Sequence, residues 1–363
     1  MIKIIKIIGI LLLLTTFQIV NGQTTDKQKA IEKGKEAVRL MDNGRYEESI
    51  KLLKEAQQLD PKSFIYPYEL AYAFYMQKDY KKAKKYVESS LKYKDVNENA
   101  YQLLGNTYDY LGKSEKAIKT YEKGLKLFPN SGNLYLELGV MQMKNKEYLN
   151  ALQYFEKGIE VEPNFPSNYY WAAKIFLSSS EEVWGMIYGE IFINLEPTTK
   201  RSTEIGKLLY KTYKNEIKVI SDTSYSVSFS KNTTININNL EDLNNLKPPY
   251  GVTIYEPTLM FSIIGQKVID INTLITIRSK FVDNYFSNGH DKQYPNLLFS
   301  YQKQIKDAGH FEAYTYFVLG KGDDDTFQKW LSENEEKWQI FIDWFVNNKI
   351  NINESNKFYR GKY

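Results

Sequence analysis

Small and large apolar residues recur along residues 98–165 with a period of 34. Two copies of the pattern place an aromatic residue, a Leu-Gly pair, an alanine, a second aromatic residue, a glycine and a proline at matching positions. These residues are Tyr101, Leu104, Gly105, Ala117, Tyr121, Gly124 and Pro129 in one copy, and Tyr135, Leu138, Gly139, Ala151, Phe155, Gly158 and Pro163 in the other. Because two antiparallel helices approach closely only where side chains are small, each copy predicts a pair of packed helices.

The same period extends in both directions from this segment. The small position after the leucine is occupied by Ala37, Ala71, Gly105, Gly139 and Ala173. The first and last copies are the least regular, which is typical of repeats at the two solvent-facing ends of a stack. The pattern therefore predicts five helix-turn-helix repeats, with the bounds 30–63, 64–97, 98–131, 132–165 and 166–199.

This pattern resembles the tetratricopeptide repeat (TPR), whose units stack into a right-handed α-solenoid. The resemblance implies a protein or peptide partner bound in a concave groove, which is lined by positions 2, 5, 9, 12 and 13 of each repeat. Here the groove residues are expected to be Tyr68, Tyr72, Tyr75, Asn99, Asn106, Asp109, Tyr110, Met143 and Tyr170, accompanied by Met76, Gln102, Leu136, Lys144 and Lys174.

The expected groove differs from that of the TPR proteins that hold a terminal carboxylate with lysine, asparagine and arginine. It has no arginine, and its aromatic and methionine side chains favour a partner with apolar anchors. The alternative is that several of the tyrosines only pack against neighbouring repeats or against C-terminal helices.

Residues 1–22 have the pattern of a signal peptide. Lys3 and Lys6 precede the apolar run Ile7–Leu14, which is too short to span a bilayer well, and Gly22 supplies a small residue before a cleavage point. We therefore expect an exported chain that begins near Gln23, in the periplasm or secreted, without stable membrane insertion. An uncleaved membrane anchor is the alternative.

The period ends after residue 199. Apolar residues at helical spacing predict a capping helix at 200–222. Residues 223–249 predict a β-hairpin and linker, because Tyr225, Val227 and Phe229 alternate with polar residues, as do Ile235 and Ile237. Residues 250–363 predict an irregular helical domain whose role the sequence does not indicate. The expected fold is thus mostly α.

Net charge and cysteine content narrow the range of possible partners and the source of stability. The net charge of +4 falls to +2 without Lys3 and Lys6, which is too small to favour nucleic acid as a partner. The chain has no cysteine, so its stability must come from packing and not from disulfides.

The residues that could carry chemistry form no recognised constellation. The segment from Gly105 to Lys113 and Ser114 has the wrong glycine spacing for a phosphate-binding loop, and His290 and His310 have no carboxylate at metal-ligand spacing. No catalytic, metal or cofactor site is expected. The sequence favours a non-catalytic binding scaffold of the bacterial cell envelope. The alternative is an enzyme or enzyme subunit with its site in 250–363 and the repeats as a docking arm.

Overall fold

A computed structural model describes residues 25–231 and 249–363 of the chain. Residues 1–24, which contain the predicted signal peptide, and residues 232–248 lie outside these ranges. The chain divides into two compact units, unit 1 from Met1 to Met141 and unit 2 from Gln142 to Tyr363. Most of the described residues are helical, as predicted.

Unit 1 is built from successive antiparallel helix pairs. Its helices are α1 (25–42), α2 (Tyr46–Leu59), α3 (Ile65–Met76), α4 (Tyr80–Ser90), α5 (Glu98–Tyr110), α6 (Ser114–Leu127) and most of α7 (Gly132–Lys144). These bounds confirm the predicted order of a first and a second helix in each repeat.

The turn between the two helices of a repeat contains a residue with left-handed backbone. It is Gly44, Lys78, Gly112 or Lys146, with φ of 73°, 61°, 71° and 63° respectively. These four positions are 34 residues apart, so the backbone itself repeats with the period of the sequence. Glycine adopts this conformation without strain, whereas lysine does not.

The small residues of the repeat mark the points where helices touch. A Cβ atom added to Gly105 would lie 2.0 Å from Cε1 of Tyr121, so α5 and α6 are in direct contact there. Tyr121 is buried, and its hydroxyl donates a hydrogen bond to Asn106. Ala37 and Ala71, at the equivalent position of the preceding repeats, are fully buried. The predicted close approach is therefore present.

Unit 2 contains the remaining repeat helices and the C-terminal region. Its first elements are α8 (Tyr148–Val161), α9 (Pro166–Phe176), α10 (Glu182–Leu195), α11 (Lys200–Glu216), β1 (Ile217–Ser221) and β2 (Ser224–Val227). A π-helical turn, Gly251–Tyr255, then leads into α12 (Glu256–Ile263). The other helices are α13 (Ile271–Ser287), α14 (His290–Gln293), α15 (Leu297–Asp307), α16 (Phe311–Leu319), α17 (Asp324–Glu333) and α18 (Glu335–Asn347).

The predicted β-hairpin is present but lies earlier in the chain. Strands β1 and β2 pair antiparallel, with Ile217 opposite Val227 and Val219 opposite Tyr225. Helix α11 therefore ends at Glu216, before the predicted end of the capping helix at 222. The β-branched residues after Glu216 favour a strand over another helical turn. The second predicted strand, at 235–237, lies outside the described residues.

Helix α10 explains why the predicted fifth repeat, 166–199, is irregular in sequence. All its residues from Val183 to Asn194 are buried, so it has no solvent-facing side. The irregular sequence does not mark an exposed end of the stack, as its pattern suggested. Instead, α10 shares a core with the C-terminal helices, and Asn194 donates a 2.8 Å hydrogen bond to the hydroxyl of Tyr314 on α16.

A buried ion pair joins the same elements. Arg278 of α13 donates to Glu190 of α10, and Gln302 of α15 donates to the same carboxylate at 2.7 Å. Arg278 also donates to the hydroxyl of Thr315 on α16, at 3.1 Å. These polar groups fix four helices relative to one another within unit 2.

The last residues, 350–363, return to the repeat helices of unit 2. Arg360 makes two hydrogen bonds of 2.9 and 2.7 Å to Glu156 on α8, and its backbone N–H donates to the hydroxyl of Tyr188 on α10 at 2.8 Å. Phe358 is 1% exposed, and Lys357 donates to the carbonyl of Glu160 at 3.0 Å. This C-terminal segment is therefore an integral part of the core of unit 2.

Candidate functional site

Apart from Leu136 on α7, the predicted groove residues of unit 1 lie on α3 and α5, the first helices of their repeats. The rings of Tyr75 and Tyr110 meet edge to face with centres 5.5 Å apart, and Tyr80 stacks on Tyr110 at 4.8 Å. Tyr110 is 61% exposed and Tyr72 is 38% exposed. The structure thus brings a group of tyrosines to one face, which we call the first-helix face.

Tyr68 lies deeper on this face than Tyr72. It is partly buried, and its ring centre is 6.3 Å from that of Phe64. Burial, with smaller contributions from Glu69 and Tyr72, raises the pKa of Tyr68 to about 12. Tyr68 is therefore protonated at neutral pH, and its hydroxyl can donate a hydrogen bond.

A polar network lies beside the tyrosines, between α5 and α7. Asn133 donates to Asn99 at 3.1 Å and to Gln102 at 2.9 Å, and Gln102 donates to Glu137 at 2.7 Å. Asn106 donates to the same carboxylate at 3.2 Å. We call these five residues the amide cluster. Since their polar groups already bind one another, they hold the face in a fixed conformation.

Asp109, another predicted groove residue of unit 1, lies at the end of α5. Its carboxylate accepts a 3.5 Å hydrogen bond from the hydroxyl of Ser114 at the start of α6. This contact connects the two helices across their turn.

Two predicted groove residues, Met143 and Tyr170, belong to unit 2. Tyr170 is only 6% exposed, and its hydroxyl donates to Glu204 at 2.6 Å. The guanidinium of Arg201 lies 5.0 Å from the centre of its ring. Tyr170 is therefore a packing residue, in line with the alternative that several tyrosines only pack.

Met143 lines a depression of unit 2 with a volume of about 570 Å³. Its neighbours there include Leu149, which is 79% exposed, and Lys174, which donates to Glu204 at 2.7 Å.

Sequence reasoning missed part of the first-helix face. Ile31, Val38 and Ile65 are exposed on α1 and α3, and Glu69 lies beside them. The repeat period could have found the three apolar residues, because Ile31 and Ile65 both occupy position 2 and Val38 occupies the position of Tyr72. Asn133 has the same relationship to Asn99 in the amide cluster.

Two features are absent from residues 25–231 and 249–363. There, no group of three or more His, Cys, Asp or Glu side chains is arranged to hold a metal ion. Within the same ranges, every helix is too short or too polar to cross a membrane.

Sequence models of the tetratricopeptide repeat match three parts of the chain. The matched residues are 40–107, 98–131 and 132–165. Residues 40–165 are therefore tetratricopeptide repeats, which confirms the predicted period and the helix-turn-helix fold. The matches do not include residues 30–39 or the predicted fifth repeat, 166–199.

Solved structures with similar repeats include bacterial proteins. PilF of Pseudomonas aeruginosa is 21% identical, with 52% of this chain and 86% of that chain covered and a TM-score of 0.45. A TPR protein of Thermus thermophilus is 17% identical, with coverages of 50% and 98% and a TM-score of 0.43. PilW, a type IV pilus biogenesis factor, is 17% identical, with coverages of 50% and 83% and a TM-score of 0.41. Among curated proteins, none matches the chain.

Proposed function

We propose that this protein is a non-catalytic scaffold that binds a protein or peptide through the first-helix face of unit 1. The observation that carries the proposal is the distribution of exposed apolar side chains. Among the described residues of unit 1, the large apolar side chains that are exposed are Ile31, Val38, Ile65, Tyr72, Met76, Tyr110 and Leu127. All but Leu127 lie on the first helices α1, α3 and α5.

Such a concentration of exposed apolar surface on one face is typical of an interaction site. Tyrosines supply large contact area at a small cost in side-chain entropy and often act as binding anchors. The amide cluster holds the neighbouring backbone in place, so the face is ordered before a partner arrives. A preordered face loses little conformational entropy on binding.

A pull-down of the protein from its native envelope, analysed by mass spectrometry, identifies the partner. Calorimetry with that partner then compares Tyr72→Ala, Tyr110→Ala and Lys119→Ala. We expect each tyrosine variant to lose about 2 kcal/mol of binding free energy, as central anchors do. The control residue Lys119 lies on α6, a second helix, and we expect its variant to bind like the parent. Equal affinity of all three variants would refute the first-helix face as the binding surface.

Asn106→Ala tests the amide cluster in the same titration. Asn106 accepts a hydrogen bond from Tyr121 and donates one to Glu137. Asn106→Ala therefore removes two contacts that hold the first-helix face in place. We expect weaker binding. Circular dichroism of the free variant must show intact helices, because otherwise the loss reports unfolding and not the loss of a binding contact.

The location that we propose is outside the cytoplasm, after cleavage of residues 1–22. Support comes from Lys3 and Lys6 before the apolar run Ile7–Leu14, an arrangement that export machinery recognises. Intact-mass measurement of the protein from its native host tests this proposal. A mature mass that begins near Gln23 supports it, whereas a full-length chain that sediments with membranes contradicts it.

A further inference from the structure

A depression with a volume of about 330 Å³ lies between α1 and α3 of unit 1. Its lining residues are Ile31, Gly34, Lys35, Val38, Leu53, Ile65, Tyr66 and Glu69. Gly34 allows the ring of Tyr66 to lie close to α1, since a Cβ atom there would lie 3.2 Å from Cε1 of Tyr66. The volume is at the lower end of the range for ligand pockets, about 300–1,000 Å³.

The walls of the depression are apolar. Leu53 and Tyr66 form its buried floor, with exposures of 0% and 4%. Ile31, Val38 and Ile65 form its rim, and they are 37%, 39% and 48% exposed. When an aliphatic side chain enters the space between these rim residues, its apolar surface and theirs are both removed from water, which favours binding.

Lys35 and Glu69 are the charged residues of the lining, and Glu69 is the more buried of the two. Its carboxylate is partly buried, and among residues 25–231 and 249–363 it has neither a hydrogen-bond donor nor an ion-pair partner. Burial raises the pKa of Glu69, and the charge of Asp42 raises it further. Partial burial removes water from this carboxylate, which costs free energy because no partner replaces the water. A cation from the ligand would offset that cost.

The other charged groups nearby do not neutralise Glu69. Lys35 lies on the rim, is exposed and forms no ion pair among the described residues. Lys33 is already paired with Glu55 at 2.7 Å. Asp42 is negative as well, so the part of the lining around Glu69 favours a positively charged group.

We propose that this depression binds a peptide segment that carries aliphatic side chains with a lysine or arginine between them. The aliphatic groups fill the space between Ile31, Val38 and Ile65, and the cation pairs with Glu69. This inference rests on the proposed function and names the chemistry of the partner. An acidic or uncharged segment would leave the carboxylate of Glu69 unpaired and would bind more weakly.

Three short synthetic peptides test the proposal by fluorescence anisotropy at low salt. They share the same leucines and differ only at one central residue, which is lysine, glutamine or glutamate. Lysine brings a positive charge to the carboxylate of Glu69, whereas glutamine brings only a neutral amide, so we expect the lysine peptide to bind about tenfold more tightly than the glutamine peptide. The glutamate peptide should bind most weakly.

Glu69→Gln assigns this preference to one residue. We expect the variant to lose the preference for lysine while it keeps the affinity of the parent for the glutamine peptide. Glu122→Gln is the matched control, because Glu122 is exposed on α6 and the substitution removes the same charge. It should retain the full preference for lysine.

Four outcomes would overturn the proposal. They are equal binding of the three peptides, a preference for lysine that survives in Glu69→Gln, no binding of the lysine peptide at about 1 mM, and a dimer in light scattering that Glu69→Gln dissociates. The last outcome would assign the depression to a second copy of the chain.

Tyr110→Ala separates this proposal from the wider function. Tyr110 does not line the depression, so the variant should bind the lysine peptide like the parent. If the lysine peptide does not bind while Tyr110→Ala still weakens binding of the natural partner, the depression is not the site but the first-helix face remains the binding surface.

Discussion

Arg278 on α13 and Glu190 on α10 form an ion pair whose side chains are only 3% and 4% exposed. Removing one partner of such a pair leaves an uncompensated buried charge, which costs about 3–5 kcal/mol. We therefore expect Arg278→Met to lower the free energy of unfolding of unit 2 by at least about 3 kcal/mol. All five tryptophans of the chain lie in unit 2, so tryptophan fluorescence during urea denaturation measures this change.

The double variant Glu190→Met/Arg278→Met is the control for this pair. Since it removes both charges, we expect it to be more stable than Arg278→Met alone. If the single variant unfolded like the parent, the ion pair would not be buried as described.

Gly105→Ala tests the contact between α5 and α6. The added methyl group would lie 2.0 Å from Cε1 of Tyr121, so the helices must separate or the ring must move. We expect the free energy of unfolding to fall by about 1–3 kcal/mol, the usual effect of overpacking a core. Circular dichroism during urea denaturation measures it, with Lys119→Ala as the control. Gly44→Ala is unsuitable as a control, because the left-handed backbone at Gly44 would add strain of its own.

Lys78→Gly tests the left-handed turns. Lys78 has φ of 61° and lies in the turn between α3 and α4. A left-handed conformation costs an L-residue about 1–2 kcal/mol, and glycine avoids this cost but loses more backbone entropy on folding. We expect a net gain in stability of up to about 1 kcal/mol, measured by thermal denaturation. Lys119→Gly, inside α6, should instead lose about 1 kcal/mol, and destabilisation by both changes would contradict the turn geometry.

Glu182 predicts a pH-dependent stability of unit 2. Burial and the nearby charge of Glu216 raise the pKa of Glu182 to about 7, although Lys231 lies 3.7 Å away. Because the folded state then holds a proton that the unfolded state releases, the contribution to stability is present at low pH. It is lost as the pH rises through about 7.

Glu182→Gln removes this titration. We compare the free energy of unfolding of the variant with that of the parent at each pH. We expect this difference to favour the variant by about 1 kcal/mol more at about pH 8 than at about pH 5, after screening by solvent. Thermal denaturation followed by tryptophan fluorescence at the two pH values measures the difference. Glu335→Gln, at the exposed start of α18, is the matched control for the same chemical change. An equal effect of Glu182→Gln at both pH values would contradict the raised pKa.

The repeat part of the fold was predictable because its contacts are local and periodic. Gly105 and Ala117 mark helix crossings that recur every 34 residues, and a short period is visible in one sequence. The β-hairpin was misplaced because Ile217 continues the helical spacing of Leu209 and Tyr213, so the capping helix was predicted to run past Glu216. The C-terminal region has no period. Its packing depends on distant pairs such as Asn194 with Tyr314, which sequence reasoning cannot connect.

The candidate site was predictable to a similar extent. Tyr72 and Tyr110 followed from their positions in the repeat. Tyr170 occupies position 5 of its repeat, the position of Tyr68, but is covered by Arg201 and Glu204 of α11, which lies beyond the repeats. Glu69 was missed because its position does not belong to the expected groove set, and only the structure reveals its burial beside Ile65.

The C-terminal segment has a consequence for the order in which the protein forms. In unit 1, neighbouring helices make contacts that are close in sequence, and such contacts form early and quickly. Arg360 instead binds Glu156, a partner 204 residues earlier in the chain. The contact of Phe358 with Tyr188 of α10 likewise requires residues 350–363 to be in place. We therefore expect unit 2 to complete its folding later than unit 1, because contacts between distant residues form more slowly than local ones.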